Sequence, residues 1–181
     1  MQNIFRRALI LGALALITAC GSETVQAPAE PKPYRVSSVV VNLAENAQVR
    51  GRFEDAELRN SVLKRIDTTL TELVSAKAGG AQRASAVVTI TAMQLRDSGA
   101  RSFGGVNSVN GQMTIVSPSG ATLDGPFAVS YSDQARNNTT SFNGIPIGLL
   151  INASRNSRDQ EEGVDVDTLV EGFASKAAAA F

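Results

Sequence analysis

The sequence contains no histidine, no tryptophan and a single cysteine, Cys20. The lack of histidine excludes the Ser-His-Asp and Cys-His nucleophile systems, the HExxH metalloproteases and most zinc sites. An enzyme of this composition would need carboxylates or a Ser-Lys pair. Because one cysteine cannot form an internal disulfide bond, the fold is expected to hold by packing alone.

An excess of charge of one sign is also missing, since 17 Lys and Arg residues balance 17 Asp and Glu residues. Nucleic-acid binding calls for a basic face, which this balance does not favour. The same balance predicts no strong electrostatic adhesion to anionic lipid. No cofactor and no metal site is predicted.

A long hydrophobic run is absent too, and the longest candidate lies at the amino terminus. Ala8–Ala19 is apolar or small throughout and follows Arg6 and Arg7. As a helix it would reach roughly 18 Å, whereas crossing hydrocarbon takes about 20 residues. This layout is typical of a cleaved signal peptide, here residues 1–19, rather than of a permanent membrane span.

The end of this segment, Ile17-Thr18-Ala19-Cys20, resembles the bacterial lipobox. In that family the cysteine sulfur takes a diacylglyceryl group and a signal peptidase cuts before the cysteine. Each buried methylene contributes about 0.8 kcal/mol, so two or three chains hold where one is marginal. The residue after the cysteine is Gly21, not aspartate, which by resemblance implies the periplasmic face of the outer membrane rather than the inner membrane. The alternative is a chance cysteine after an ordinary signal sequence.

Residues 20–33 are interpreted as the lipidated cysteine and a tether, because Pro28, Pro31 and Pro33 lie among small and polar residues. Extended in a polyproline-like state, the tether reaches at most about 40 Å. Residues 34–181 then form a single periplasmic domain. Loss of Arg6 and Arg7 with the signal peptide leaves a net side-chain charge of about −2.

The apolar periodicity of this domain predicts the order β-α-β-β-β-α. Asp55 is expected to cap the first helix, and Gly79-Gly80 to end it in left-handed geometry. A bulge is expected near Met93, and Ser117–Gly120 reads as a hairpin turn. The fold class is therefore α+β, a two-layer sandwich with a four-stranded mixed sheet and two helices on one face. The predicted elements are strands over 34–43, 84–96, 109–116 and 127–131, and helices over 55–78 and about 166–180.

Polar candidates for a site each have a structural alternative. Five carboxylates within nine residues could bind calcium, but acids also favour the start of a helix. Gly99, Gly104, Gly105 and Gly111 suggest turns rather than a phosphate loop. The lysines lie on predicted helices without a Ser-x-x-Lys motif, and an arginine group near the first helix could meet lipid phosphates or an acidic partner, or be a solvated face. The carboxylates are Asp159, Glu161, Glu162, Asp165 and Asp167. The lysines are Lys64, Lys77 and Lys176, and the arginines are Arg50, Arg52, Arg59 and Arg65.

The segment Gly144–Ile151 carries five large aliphatic residues without a clear strand or helix period. It either packs in the core or forms an exposed contact for a partner or the membrane. The candidate contact residues are Ile145, Ile147, Leu149, Leu150 and Ile151.

The order of elements, with the strand around Ala86–Asp97, Gly144–Ile151 and the terminal helix, resembles a loose group of small envelope lipoproteins. That group includes the lipopolysaccharide-assembly lipoprotein LptE and the amino-terminal domain of TolB. The resemblance implies noncatalytic work beside a larger envelope protein. The sequence thus predicts a membrane-anchored periplasmic lipoprotein, anchored by lipid on Cys20, that binds or positions another envelope component. The alternatives are a small hydrolase and a calcium or small-ligand binding module.

Overall fold

The computed structural model describes residues 32–77, 79–134, 147–161 and 163–180, with the backbone alone for residues 134 and 147–153. The four strands form one mixed sheet in the order β1-β2-β3-β4, in which β1 and β2 are parallel and the other neighbours antiparallel. The α+β prediction is confirmed. The elements are β1 (Tyr34–Gly51), a 3-10 helix (Arg52–Glu54), α1 (Ala56–Ser75), β2 (Gln82–Leu95), α2 (Ser98–Ser102), β3 (Val106–Val116), β4 (Thr122–Gln134), α3 (Ile147–Glu161) and α4 (Val164–Ala178).

Helices α1 and α4 pack against each other, α1 contacts β1, and α4 contacts β3 and β4 on the same face of the sheet. Six residues are predicted to form the apolar stripe of α1, and four of them, Val62, Ile66, Leu70 and Val74, are buried. Leu58 is partly buried, and the prediction is wrong for Leu73, which is 38% exposed. Full burial of each such side chain contributes about 1.5–3 kcal/mol. The stripe of α4 is buried as predicted, and it consists of Val166, Leu169, Val170, Phe173, Ala174 and Ala177.

The predicted bulge near Met93 is present. Register between β2 and β3 shifts between Ile90 and Ala92. At the same level of the sheet, the pairing of β1 with β2 jumps from Leu43 to Gln48, so residues 44–47 of β1 oppose one residue of β2. The shift turns Ala92 away from the helices and keeps Met93 buried, since one extra residue reverses the alternation of a strand.

Two helices lie outside the predicted order. Helix α2 replaces the expected loop after β2, and the side chain of Asp97 caps it by accepting a hydrogen bond from Ala100 N at 2.7 Å. Helix α3 contains Asp159 and Glu161, which the sequence places in a linking stretch. Helix α2 has only five residues, too few for an apolar stripe to repeat.

The prediction that Gly79-Gly80 ends α1 in left-handed geometry is wrong. The helix ends at Ser75, and its cap residue Ala76 is right-handed. Gly80 instead passes close to the chain before β1, and its N–H donates to Lys32 O at 3.0 Å. A Cβ atom on Gly80 would collide with the backbone of Pro33. The glycine is needed for close approach of two backbones, not for a positive φ.

Candidate functional site

Three of the four arginines near α1 bond to other parts of the domain, and Arg50 is exposed. Arg52 forms an ion pair with Asp165 at 2.7 Å, and the Asp165 side chain is 1% exposed. Arg65 forms an ion pair with Asp167, and Arg59 donates to Phe53 O at 2.9 Å. These bonds favour a structural role for the three arginines, because Arg52 and Arg65 bond to α4 and Arg59 bonds to the 3-10 helix.

The acidic candidates for calcium are divided among these contacts. Asp165 and Asp167 lie in the first turn of α4, where negative charge is favoured by the helix dipole, and each has an arginine partner. Asp159 and Glu161 lie on α3, while Glu162 falls outside the described residues. Across the described ranges, no group of three or more acidic, histidine or cysteine side chains is placed to hold a metal ion.

A groove of about 420 Å³ runs between β1 and the outer flank of α1. In the described part of the chain, β1 has a strand neighbour on one side only, so the backbone groups on its other side line the free edge of the sheet. Val40 of this edge strand is 46% exposed, with its side chain on the face of the sheet opposite α1. The groove is open and shallow, and its lining residues are Val39, Val40, Val41, Asn60, Leu63, Lys64 and Asp67.

One stretch of the free edge of β1, between its two bulges, lacks the usual protection against pairing. Natural edge strands carry charges, proline or bulges that prevent another strand from docking. Between the two bulges, Ser38–Leu43 pairs without interruption with Ser85–Ile90, and this run contains neither a charge nor a proline. An extended chain could therefore pair with β1 and place alternate side chains in the groove.

The face of the sheet opposite α1 and α4 is rich in hydroxyl and amide groups. Pairing places Asn42, Thr89 and Gln112 in one row across three strands. We call this surface the polar face. Its central residues are Ser38, Val40, Asn42, Gln48, Arg50, Ser85, Val87, Thr89, Ala92, Gln94, Ser108, Asn110, Gln112, Thr114, Ala128, Ser130 and Ser132.

The bulges make a hollow of about 170 Å³ on the polar face. Gln94 lines it and donates to Val106 O at 2.9 Å, and Asn110 accepts a hydrogen bond from Ser130 Oγ. Among the described residues that line this hollow, Arg50 is the charged one. Such a set can hydrogen-bond a neutral or anionic group, but those residues include no carboxylate to act as a general base.

A polar lock fixes the start of β1. Tyr34 Oη donates to Asp124 Oδ2 at 2.7 Å, and Lys32 Nζ donates to the same oxygen at 2.9 Å. The hydrogen bond from Lys32, followed by that from Tyr34, lowers the pKa of Asp124. Burial, and then the Asp124 carboxylate, raise the pKa of Tyr34. The chain therefore leaves the domain toward its amino terminus from a fixed point beside β4.

A second polar cluster is buried between α2, β3 and β4. Arg101 forms an ion pair with Asp133 at 2.7 Å, and its side chain is 6% exposed. Asn107 is paired with Asp133 across the two strands and accepts from Arg96 N at 2.9 Å. Asn156 of α3 donates to Ser102 Oγ at 3.2 Å. These bonds position α2 and α3 at one end of the sheet.

No family model and no curated protein sequence matches the chain. Among solved structures, it is similar to a minor lipoprotein from Acinetobacter baumannii, with 8% identity, coverage of 79% of this chain and 91% of that chain, and a TM-score of 0.35. A protein from Caulobacter crescentus CB15, provisionally described as a lipoprotein, has 10% identity, coverage of 77% and 86%, and a TM-score of 0.33. A PelC dodecamer from Paraburkholderia phytofirmans has 14% identity, coverage of 71% and 86%, and a TM-score of 0.33. Sequence identity and TM-score are low in all three comparisons, so we draw neither fold nor function from these similarities.

Several sequence candidates fall outside the described parts of the chain. Ile17, Thr18, Ala19, Cys20 and Ile145 lie there entirely. Helix α3 begins at Ile147, and the side chains of Ile147, Leu149, Leu150 and Ile151 are likewise outside. Whether this segment is core or contact stays a prediction.

Of the three lysines considered for a Ser-Lys pair, Lys64 and Lys176 lie on helices as predicted. Lys77 lies beyond the end of α1 and donates to Ala178 O, which corrects its placement. Of the glycines, Gly104 lies in the turn after α2 with positive φ and Gly111 is within β3, in line with a structural role.

The sequence analysis does not single out two surface features. Val40 lies on the free edge, and the run Val39–Val41 signals only a strand that is apolar on both faces. Phe103 is 83% exposed in the turn after α2. A large aromatic residue within a glycine-bearing loop is a signal available from the sequence, whereas the edge position of Val40 depends on the order of the strands.

Proposed function

We propose that this chain is a lipoprotein of the bacterial envelope, attached through lipid on Cys20 to the periplasmic face of the outer membrane. In this proposal the domain catalyses no reaction and binds or positions another envelope component. The sequence Ile17-Thr18-Ala19-Cys20 and the proline-bearing tether support the anchor. None of the helices in the described ranges is long and apolar enough to cross a membrane.

The observation that carries the binding role is the free edge of β1 beside the groove. Backbone N–H and C=O groups on this edge can pair with an extended segment of a partner, and main-chain hydrogen bonds of this kind supply affinity. Val41 and Leu63 offer apolar contacts, while Lys64 and Asp67 place one charge of each sign at the groove. We therefore propose an extended, mainly apolar segment of an envelope protein as the ligand of this edge.

The shape of the described surface supports binding over catalysis. Small-molecule sites are concave and bury most of their ligand. Both hollows described above are shallow, and the lining of that beside β1 combines aliphatic with polar and charged side chains. Lys32 and Lys77 donate hydrogen bonds to Asp124 and to Ala178 O, contacts that serve the fold.

The test is site-specific photo-crosslinking in intact cells, with a photoreactive residue in place of Val40. Ser175, exposed on α4, is the matched control position. We expect one reproducible crosslinked envelope protein from Val40 and none from Ser175. In a second chain, Val41 carries the photoreactive residue and Val40→Lys places a charge on the edge, which disfavours strand pairing.

Val40→Lys should remove the crosslink formed from position 41. It should change the free energy of unfolding by no more than about 0.5 kcal/mol, because the Val40 side chain is partly exposed. Equal crosslinking from Val40 and Ser175, or a crosslink that survives the lysine, would contradict the proposed binding edge.

A further inference from the structure

The end of the domain where β1 and β2 begin carries an unusual pair of arginines. Arg35 and Arg83 are direct partners in the parallel pairing of β1 with β2, and both are exposed. We call this end, which includes the turn Ser117–Gly120, the entry end. Neighbouring strands lie about 4.8 Å apart, so the two side chains leave the sheet side by side.

Two like charges placed directly across neighbouring strands destabilise a sheet. Among the described residues, neither Arg35 nor Arg83 forms an ion pair that would offset this repulsion. The nearby Asp124 is bound to Lys32 and Tyr34. A pair of guanidinium groups in this arrangement is suited to an anion brought from outside the domain, since guanidinium binds phosphate through paired N–H donors.

Other charges of the described chain reinforce the difference between the two ends. The entry end also carries Lys32, Lys77 and Lys176, the last in the final turn of α4. At the opposite end, where β1 and β2 finish and α1 and α4 begin, Arg50, Arg52 and Arg96 are accompanied by acidic residues. These acidic residues include Glu54, Asp55, Glu57, Asp97, Asp165 and Asp167. A domain near overall neutrality thus has one basic end.

The entry end is also the end from which the chain leads to Cys20. Lys32 and Pro33 lie beside Gly80 and Gln82 at the start of β2, next to Arg83. With at most about 40 Å of tether, a lipid on Cys20 would keep this end near the headgroups.

We infer that Arg35 and Arg83 bind the phosphates of anionic lipids in the membrane that carries the anchor, and so dock the entry end onto that membrane. This inference rests on the proposed lipid anchor. Docking in this orientation leaves the free edge of β1 roughly upright from the membrane and accessible to a partner. The arginines that meet lipid are then not those near the start of α1, which serve the fold.

The experiment uses the mature lipidated protein in vesicles. Because lipid would occupy the Cys20 sulfur, a single introduced cysteine can be labelled with a fluorophore, either Ser119→Cys at the entry end or Glu57→Cys at the opposite end. Energy transfer to acceptor lipids is measured in phosphatidylcholine vesicles and in vesicles of phosphatidylcholine and phosphatidylglycerol in equal parts. We expect phosphatidylglycerol to raise transfer from position 119 and not from position 57.

Each arginine near an anionic surface contributes about a 5-fold preference, so R35Q/R83Q should lower the ratio of docked to undocked domain by roughly 30-fold. The matched control is R50Q, an exposed arginine further along the polar face, which should leave the ratio unchanged. Salt at about 1 M, where the Debye length is roughly 3 Å, should abolish docking of the unaltered protein. Equal transfer from position 119 in both vesicle types, or an unaltered ratio in R35Q/R83Q, would overturn the inference.

Flotation with vesicles distinguishes failure of the arginine site from failure of the lipid anchor. A protein that fails to float with pure phosphatidylcholine vesicles contradicts the lipid anchor. The Cys20→Ser full chain is then mixed with the phosphatidylglycerol vesicles. Binding that is lost in R35Q/R83Q and kept in R50Q still supports the arginine site, and absence of binding overturns it.

Discussion

The ion pair between Arg52 and Asp165 gives the sharpest test of how this domain is held together. In Arg52→Met the aliphatic part of the side chain is kept, but the Asp165 carboxylate loses its cation while its side chain stays 1% exposed. Breaking a buried pair in this way costs about 3–5 kcal/mol. Since the Arg52 side chain is 26% exposed, water can partly replace the guanidinium, and we expect the lower end, about 3 kcal/mol.

For a domain of about 150 residues, a loss of 1 kcal/mol lowers Tm by about 2–4 °C, so Arg52→Met should lower it by roughly 6–12 °C. Thermal unfolding gives Tm, and urea unfolding gives the free energy of unfolding, both followed by circular dichroism. The slope of this free energy against urea concentration should be the same in both proteins. The matched control is Arg50→Met, because Arg50 is exposed on the polar face. Its free energy of unfolding should change by no more than about 0.5 kcal/mol.

The double variant R52M/D165L should recover most of the lost stability, since an apolar pair removes the unpaired carboxylate together with the cation. If Arg52→Met unfolds within about 0.5 kcal/mol of the unaltered protein, as the control is expected to do, the pair does not hold α4 to the 3-10 helix. The arginine would then be free for an external partner, and our structural interpretation of this group would be refuted.

Three further predictions concern the start of β1, the glycines and the core. The pKa of Asp124 is lowered in the folded state, so its contribution to stability is present above its ordinary pKa of 3.8 and is lost as pH falls through the folded value. In Asp124→Asn, the free energy of unfolding should therefore depend less on pH in this acid range. An unchanged pH dependence would mean that the contacts of Asp124 with Lys32 and Tyr34 are not its cause. Gly80→Ala should destabilise the domain by about 1–3 kcal/mol because the new Cβ would meet the Pro33 backbone. The control Gly99→Ala, whose Cβ has one neighbour at 3.4 Å, should be nearly neutral. Thermal unfolding compares the two variants, and equal effects would contradict the close approach of Gly80 to Pro33. Ile66→Ala should cost about 2–5 kcal/mol by urea unfolding because Ile66 is fully buried, while a cost near that of a surface change would mean that α1 does not cover the sheet as described.

Periodicity is sufficient to predict the main elements of this fold. The stripe Val62, Ile66, Leu70 and Val74 has the spacing of one helix face, and the alternation of Val109, Gly111, Met113 and Ile115 has that of a strand with one buried face. All eight residues are buried on the expected sides. The bulge near Met93 is also visible in the sequence, because the apolar residues change from even to odd positions.

Features that depend on pairing between distant segments could not be predicted. Gly79-Gly80 has the composition of a helix terminator, yet the constraint on Gly80 comes from Pro33, which is far from it in sequence. The partners Asp165 and Asp167 of the arginines lie about a hundred residues away. Likewise, Arg35 and Arg83 become neighbours only through the parallel register of β1 and β2, so a balanced composition conceals a basic end.

The central claim is that the mature chain begins at a lipid-modified Cys20. Mass spectrometry of the amino-terminal peptide, purified from membranes of the native host, tests it most directly. We predict a peptide that starts at Cys20 and carries a diacylglyceryl group on the sulfur, and a Cys20→Ser chain without lipid. A mature chain that starts elsewhere, or one in which Cys20 keeps a free thiol, would contradict the anchor and the function proposed for the domain.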